Sequence, residues 1–136
     1  MNKNFLWLNI IIYIMLLLTG CSKSLSFELI ELKDNILKVE ILYYNDPIDN
    51  DILVSIEESD DLDEFLKEFS KLQLTITFGA PGNLEGYCIK LLYKDSSYYL
   101  ITKTHMEYYN KDGRLKKDYR IDSDYEKFDE LINNLL

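Results

Sequence analysis

The side chains with the clearest capacity for chemistry are carboxylates, and they crowd one stretch of the chain. Ten acidic residues lie between Val39 and Leu66, and no lysine or arginine lies among them. Within this stretch the segment DPIDND at 46–51 offers three carboxylates and an amide oxygen, the type of ligand that Ca²⁺ binds. The central glycine and closing glutamate of an EF-hand loop are absent. We therefore interpret the stretch as a solvated acidic face with helix-capping residues and assign no metal ligand, with Ca²⁺ at 46–51 as the alternative.

Histidine and cysteine, the usual nucleophiles and transition-metal ligands, are scarce. His105 is the single histidine, and strand alternation groups it with Lys103 and Glu107 on a face expected to be wet. Cys88 has no histidine near it in sequence and is predicted to be a small buried or half-buried strand residue, a reactive thiol being the alternative. No Ser-His-Asp, Cys-His or His-rich arrangement can be assembled from the sequence. We therefore predict no catalytic residue and no cofactor.

Tyrosine is the most abundant aromatic residue, and it falls three times in adjacent pairs. The chain has 11 tyrosines, and the pairs are Tyr43-Tyr44, Tyr98-Tyr99 and Tyr108-Tyr109. Because neighbours on a strand point to opposite faces, each pair is predicted to place one ring on each side of a sheet. Tyrosine offers a large contact area with a polar tip, so Tyr44, Tyr99 and Tyr109 are candidate binding residues. The alternative is that tyrosine simply favours strands.

A basic segment near the C-terminus contrasts with the acidic stretch. It contains Lys111, Arg114, Lys116, Lys117 and Arg120, diluted by Asp112 and Asp118. Asn110 to Gly113 predicts a tight hairpin turn, since Asp-Gly suits positive φ angles. Lys111, Arg114 and Lys116 are therefore candidates for contact with anionic lipid or a wall polymer. We favour the alternative, in which lysines protect an edge strand from sheet-to-sheet aggregation.

The first 20 residues have the order of a secretory signal. A short positive segment with Lys3 precedes a mostly apolar run from Phe5 to Leu18, which small residues follow. The run is shorter than the roughly 20 residues that cross a bilayer, so a membrane-spanning helix is the weaker interpretation. The sequence Leu18-Thr19-Gly20-Cys21 resembles the lipobox of bacterial lipoproteins. This resemblance implies a diacylglyceryl group on the Cys21 thiol and cleavage just before it. A plain secreted protein is the alternative.

Residues 21–26 are predicted to form a lipid anchor and a short tether, and residues 27–136 a single domain. The five tether residues after Cys21 reach about 15–18 Å when extended, which keeps the domain near the bilayer. The whole chain carries a net charge of −9, and the first 20 residues contribute no acidic residue. Such a charge argues against a nucleic-acid partner, because the phosphate backbone binds basic surfaces. The richness in Ile, Lys, Asn and Tyr suggests a Gram-positive bacterium with an AT-rich genome.

The hydrophobic periodicity predicts an α+β fold with a largely antiparallel sheet of about seven strands. The predicted strands cover 27–32, 36–44, 52–57, 74–78, 87–94, 98–109 (bent near His105) and 115–121. Two amphipathic helices are predicted at 59–72 and from Ser123 onward, both packed on one face of the sheet. Asp61 with Glu64, and Ser123 with Glu126, have the spacing of capping boxes.

Together these features predict a membrane-anchored extracytoplasmic lipoprotein whose domain binds a ligand without catalysis. The mature chain resembles small uncharacterised lipoproteins of Gram-positive bacteria in the segment GYCIKLLYKDSSYYL at 86–100 and in its terminal helix. The expected partners are the membrane, through the lipid on Cys21, and a protein or cell-wall component. One alternative is a small carboxylate-based hydrolase acting on wall material. Another is an immunity or inhibitor lipoprotein whose acidic surface blocks a basic toxin or enzyme.

We expect Cys21→Ala to abolish labelling by a radioactive fatty acid and to release the protein from membranes, because two or more acyl chains are needed for stable anchoring. The measurement is labelling of intact cells followed by fractionation. Cys88→Ala is the matched control, since it removes the other cysteine and should keep both the label and the membrane location. Continued membrane retention of Cys21→Ala would overturn the lipoprotein prediction.

Overall fold

The computed structural model describes Leu29 and residues 33–44, 50–77, 79–80 and 82–136. The predicted signal segment 1–20, the predicted tether at 21–26 and most of the loop at 46–51 lie outside these described residues. The strands are β1 (Ile36–Tyr44), β2 (Asn50–Ile56), β3 (Thr75–Ile76), β4 (Gly86–Tyr93), β5 (Tyr98–Ile101), β6 (His105–Tyr109) and β7 (Leu115–Asp122). The helices are α1 (Ser59–Phe69) and α2 (Tyr125–Asn133), and a short 3₁₀ turn, Lys33–Asn35, precedes β1.

The seven strands form one sheet in the order β2-β1-β4-β5-β6-β7-β3. Every neighbouring pair is antiparallel. Tight turns connect β4 to β5 and β6 to β7, where the chain carries Asp95-Ser96-Ser97 and Asn110–Gly113. The structure thus confirms the predicted α+β fold with an antiparallel seven-stranded sheet and two helices.

The main core lies between the helices and one face of the sheet. Helix α1 contributes Phe65, Leu66 and Phe69, and the rings of Phe65 and Phe69 stack with their centroids 5.8 Å apart. These residues recur at helical spacing, so they form one buried stripe. The other members come from α2 and from alternate strand positions, among them Phe128, Ile132, Val39, Ile41, Ile89, Leu91, Ile101 and Met106. Both amphipathic helices therefore cover the same face, as predicted.

The opposite face of the sheet, here called the far face, has a smaller apolar cluster. Leu42, Cys88 and Leu100 project from three neighbouring strands, and Leu84 from the preceding loop packs on them. Three tyrosines, Tyr44, Tyr98 and Tyr109, pack against this cluster while remaining partly exposed. No helix of the described residues contributes to the cluster. The far face is therefore closed by strand and loop side chains.

Two strand predictions are wrong. Leu29, the one described residue of the segment 27–32, is helical and buried, because apolar residues in so short a run fit either period. The strand β1 lies between β2 and β4, so both of its edges are occupied. The run 98–109 is two strands joined by a turn, in which the Thr102 N–H donates to the His105 carbonyl at 2.9 Å. No glycine or proline lies in this turn, so the sequence carries no local signal that predicts it.

The helix caps also differ from the predicted capping boxes. Helix α1 begins after Glu58, whose side chain makes no capping hydrogen bond. Helix α2 begins after Asp124, whose Oδ1 accepts from the Lys127 N–H at 3.2 Å. The Ser123 hydroxyl instead donates to the Lys103 carbonyl at 2.6 Å, which ties the helix start to the β5–β6 turn. The cap is thus one residue later than predicted because Ser123 has a tertiary partner.

We expect Asp124→Ala to lower the free energy of unfolding by about 1 kcal/mol, because it leaves a helix N–H without its acceptor. Urea denaturation monitored by circular dichroism measures the change. Asp124→Asn is the matched control, since asparagine caps helices as well as aspartate does. An equal loss in the two variants would show that the charge, and not the capping hydrogen bond, stabilises α2.

Candidate functional site

The adjacent tyrosines separate to the two faces of the sheet, as predicted. Tyr44 and Tyr109, two of the three candidate binding tyrosines, lie on the far face together with Tyr98. Tyr99 lies on the helix-side face, where it packs against the main core. The structure therefore brings Tyr44 and Tyr109 together and places Tyr99 apart from them.

The far-face tyrosines form internal contacts. The rings of Tyr98 and Tyr109 stack with centroids 4.8 Å apart, and Lys90 Nζ lies 5.0 Å from the Tyr98 ring centre. The Tyr109 hydroxyl donates to Glu107 Oε2 at 2.6 Å. Burial, followed by the hydrogen bond and the charge of Glu107, raises the pKa of Tyr109 well above its ordinary value. Tyr109 thus remains a hydrogen-bond donor at neutral pH.

Tyr99 belongs to a second group of rings with Tyr93 and Tyr108. Its ring centre is 4.7 Å from that of Tyr108 and 5.9 Å from that of Tyr93. These rings line a shallow cavity of about 460 Å³ together with Lys117, whose Nζ lies 5.7 Å from the Tyr108 ring centre. Burial raises the pKa of Tyr93, and its hydroxyl has no hydrogen-bond partner among the described residues. This small aromatic cavity is separate from the far-face cluster.

The candidate basic residues are exposed on the β6–β7 hairpin. Lys111 and Arg114 lie in the turn, whose shape comes from Asn110 Oδ1 accepting the Arg114 N–H at 2.9 Å and from Gly113 at a φ of 71°. Lys116 follows in β7, which pairs with β3 only at its far end, through Ile121 and Asp122. The outer side of the segment around Lys116 has no strand partner within the described part of the chain. This placement fits the protection of a sheet edge.

His105 is buried, not exposed as predicted. Only 1% of its surface is accessible, and it lies on the same strand face as Glu107 and Tyr109. Its Nε2 is 2.9 Å from Asp118 Oδ1 and 3.3 Å from Glu107 Oε1. Asp118 lies on β7 directly opposite Glu107. The pattern of the sequence predicts one strand over 98–109, and this group forms only because the chain turns there and β6 pairs with β7 in this register.

Glu40 is a second buried polar residue on the far face. Its carboxylate is 2.6 Å from Lys38 Nζ through Oε1 and 3.2 Å from Lys90 Nζ through Oε2. Burial alone would raise the pKa of Glu40, but the Lys38 hydrogen bond and the Lys90 charge outweigh it and hold the pKa below the ordinary value. Glu40 belongs to the acidic stretch that the sequence predicted to be a solvated face. In the structure Glu40 is buried, and Lys38 and Lys90 balance the charge of its carboxylate.

Cys88 is a buried strand residue, as predicted. It is fully inaccessible, and desolvation raises the pKa of its thiol to about 12. A thiol that stays protonated is a poor nucleophile and a poor metal ligand. The alternative of a reactive thiol therefore finds no support in its surroundings.

A large concave surface is formed by a groove between α1, α2 and strand β2. Its volume is about 950 Å³. The apolar side chains that line it are Val54, Ile56, Phe65, Leu131 and Leu135. The acidic side chains are Glu57, Glu58, Asp61, Glu64, Glu68 and Glu130. Part of the acidic stretch thus lines a groove rather than a featureless solvated face.

The groove has an excess of negative charge. Two lysines also line it, but Lys71 contacts Glu68 at 2.6 Å and Lys127 lies 3.7 Å from Asp124. The sequence predicts that α1 is amphipathic and acidic and that α2 is amphipathic. The gap that the two helices leave over β2 depends on how far apart they pack, and local sequence patterns do not determine this distance.

Comparison with protein family models, with curated proteins and with solved structures finds no match for this chain. Within the described residues, no helix is long and apolar enough to cross a bilayer.

We expect Glu40→Gln to reduce the free energy of unfolding by about 1–3 kcal/mol at pH 7, because it removes hydrogen bonds between charged groups and leaves two lysines facing each other. Since the folded protein lowers the pKa of Glu40, its contribution is present above the ordinary value of 4.5 and is lost as the pH falls through the folded pKa. The stability difference between wild type and variant should therefore shrink below about pH 4.5.

Urea denaturation at several pH values measures this difference. The control is Glu57→Gln, since Glu57 also approaches Lys38, at 3.7 Å, but its side chain is 65% exposed. Such an exposed pair contributes little, so this variant should match the wild type. A stability loss for Glu40→Gln that is constant from pH 7 to pH 3 would contradict the role of its charge.

Proposed function

We propose that this chain is a non-catalytic binding lipoprotein, held at the extracytoplasmic face of the cell membrane by lipid on Cys21. Its ligand is a cationic, partly apolar segment of a protein partner, bound in the groove between α1 and α2. The observation that carries this proposal is the groove itself, which combines an apolar floor with an acidic rim. An immunity or inhibitor protein that blocks a basic toxin or enzyme is one form of the same function.

The apolar floor provides area for contact. Val54 and Leu135 are partly exposed and offer apolar contact, while the buried side chains of Phe65, Ile56 and Leu131 form the packed core behind them. Grooves between helices commonly accept a helix or an extended peptide through a few apolar anchors. A volume of about 950 Å³ is large enough for several side chains of such a segment. The floor therefore favours an amphipathic ligand.

The acidic rim selects the charge of the ligand. Asp61 and Glu64 from α1 and Glu130 from α2 line the groove from both helices. A concave surface with one sign of charge raises the local concentration of ligands of opposite sign and speeds their association. The same charge repels acidic peptides and nucleic acids. The rim therefore favours lysine- or arginine-bearing segments.

The other candidate surfaces support this choice by having structural roles. Tyr109 donates its hydroxyl to Glu107, and Tyr98 stacks on it under Lys90. Lys116 lies where the outer edge of β7 has no strand partner among the described residues, and lysine there prevents strand addition. These residues therefore have structural partners or an edge-protecting role without a ligand.

The proposed tether also limits the partner. The five residues between Cys21 and the domain would span at most about 15–18 Å, so the groove would lie no farther from the lipid than this length added to the width of the domain. The partner segment would therefore be found at the membrane surface or on a protein passing through it.

We expect a fluorescent peptide of alternating lysine and leucine to bind the protein, and a glutamate-leucine peptide of the same length to bind at least tenfold more weakly. Glu64→Lys with Glu130→Lys should weaken binding of the lysine peptide by about tenfold or more, because rim charges contribute up to about 1 kcal/mol each. Fluorescence anisotropy at low and high salt measures the affinity, which salt should reduce.

The matched control is Asp63→Lys with Glu126→Lys. These residues lie on the same two helices and are exposed, and the change in net charge is the same. Neither of them lines the groove. Equal weakening by the two double variants would show that net charge, and not the groove, attracts the peptide, and this would overturn the proposal.

A further inference from the structure

The cluster of His105, Glu107 and Asp118 lies on the far face, and its residues do not line the proposed peptide groove. We infer that it is a binding site for a first-row divalent cation, with Zn²⁺ as the best fit. Each residue offers one ligand atom, and the three atoms lie within 4.8 Å of one another. This inference is independent of the proposed function, because His105, Glu107 and Asp118 do not line the groove.

The two distances from His105 to the carboxylates are close to those of a zinc site. Zinc binds nitrogen and oxygen at about 2.0–2.1 Å, so neighbouring ligand atoms of a tetrahedral site are about 3.3 Å apart. His105 Nε2 lies 3.3 Å from Glu107 Oε1 and 2.9 Å from Asp118 Oδ1. Since all three atoms lie within 4.8 Å of one another, side-chain rotation of the two carboxylates would bring them around the ion.

The charges of the cluster also call for a cation. Glu107 and Asp118 are directly opposite each other on β6 and β7, and like charges in that position destabilise a sheet. Among the described residues, the ion pairs of both carboxylates involve His105 alone, with no lysine or arginine within 4 Å. Glu107 and Asp118 together bring two negative charges to the cluster. A divalent cation would balance both.

The surroundings hold one ligand in position. The Tyr109 hydroxyl donates to Glu107 Oε2 at 2.6 Å, which leaves Oε1 facing His105. Such an outer hydrogen bond orients a metal ligand. Two of the ligands share strand β6 and the third lies on its hydrogen-bonded neighbour β7, so the backbone presets their spacing.

The site is accessible from solvent on one side. His105 is 1% exposed, while the side chains of Glu107 and Asp118 are 14% and 36% exposed. An ion can therefore enter past Asp118, and water can complete its coordination as a fourth ligand. On binding, the ion takes the lone pair of Nε2, and a proton carried there leaves to solvent.

The affinity should be modest. When a metal binds Nε2, the imidazole keeps its proton on Nδ1, and His105 Nδ1 has no hydrogen-bond partner among the described residues. Loss of such an outer partner typically costs 10–100-fold in affinity. We therefore expect a dissociation constant in the micromolar range instead of the much tighter binding of structural zinc sites.

Isothermal titration of the untagged full chain in detergent with ZnCl₂ tests the inference. We expect one equivalent of Zn²⁺ to bind, MgCl₂ at the same concentration to give no heat, and Zn²⁺ to raise the melting temperature. Asp118→Asn should weaken Zn²⁺ binding at least tenfold and remove the increase in melting temperature. Asp118 is partly exposed, so this variant is a milder change than replacing the buried His105.

The matched control is Asp122→Asn, on the same strand and also exposed, which should bind Zn²⁺ as the wild type does. Absence of Zn²⁺ binding by the wild type would overturn the inference. Binding that is equally strong in Asp118→Asn, or several equivalents spread over the acidic surface, would overturn it as well. None of these outcomes bears on peptide binding in the groove, which the peptide assay measures separately.

Discussion

Each strand of the central sheet sends alternate side chains to opposite faces, and the two amphipathic helices cover one face alone. This constraint shapes the rest of the structure. On the covered face, apolar residues such as Ile41, Leu91 and Ile101 meet the helices. On the far face, no helix of the described residues supplies an apolar lid, so the buried Glu40 and His105 depend on polar partners from their own and neighbouring strands.

The two faces also separate the two proposed sites. The acidic groove lies on the helix side, where the gap between α1 and α2 exposes part of β2. The cluster of His105, Glu107 and Asp118 lies on the far side, on β6 and β7. A peptide in the groove and a cation in the cluster would therefore not compete for the same surface. With a membrane anchor, such a domain can present one face to a partner while the cation joins two strands behind it.

Much of the fold could be predicted because it depends on local patterns. The apolar stripe of α1, the alternation of β4 and the Asn110–Gly113 turn all act within a few residues, and the structure has each of them. Predictions failed where distant residues decide the outcome. Ser123 binds the Lys103 carbonyl and so leaves the capping role to Asp124. In β1, the register against β4 shifts between Ile36 and Lys38, and Leu37 between them is 51% exposed although it is apolar.

By itself the sequence determined the fold class, the acidic character of α1 and the separation of the paired tyrosines, since periodicity and charge are properties of neighbouring residues. The tertiary structure decided which side chains meet. Glu107 and Asp118 are opposite because β6 and β7 pair in one register, and a shift by one residue would turn Asp118 to the other face. The groove likewise exists because two helices, far apart in the chain, pack side by side on the sheet. Strand register and helix spacing depend on contacts between residues far apart in the chain, so they are decided only when the strands and helices pack together.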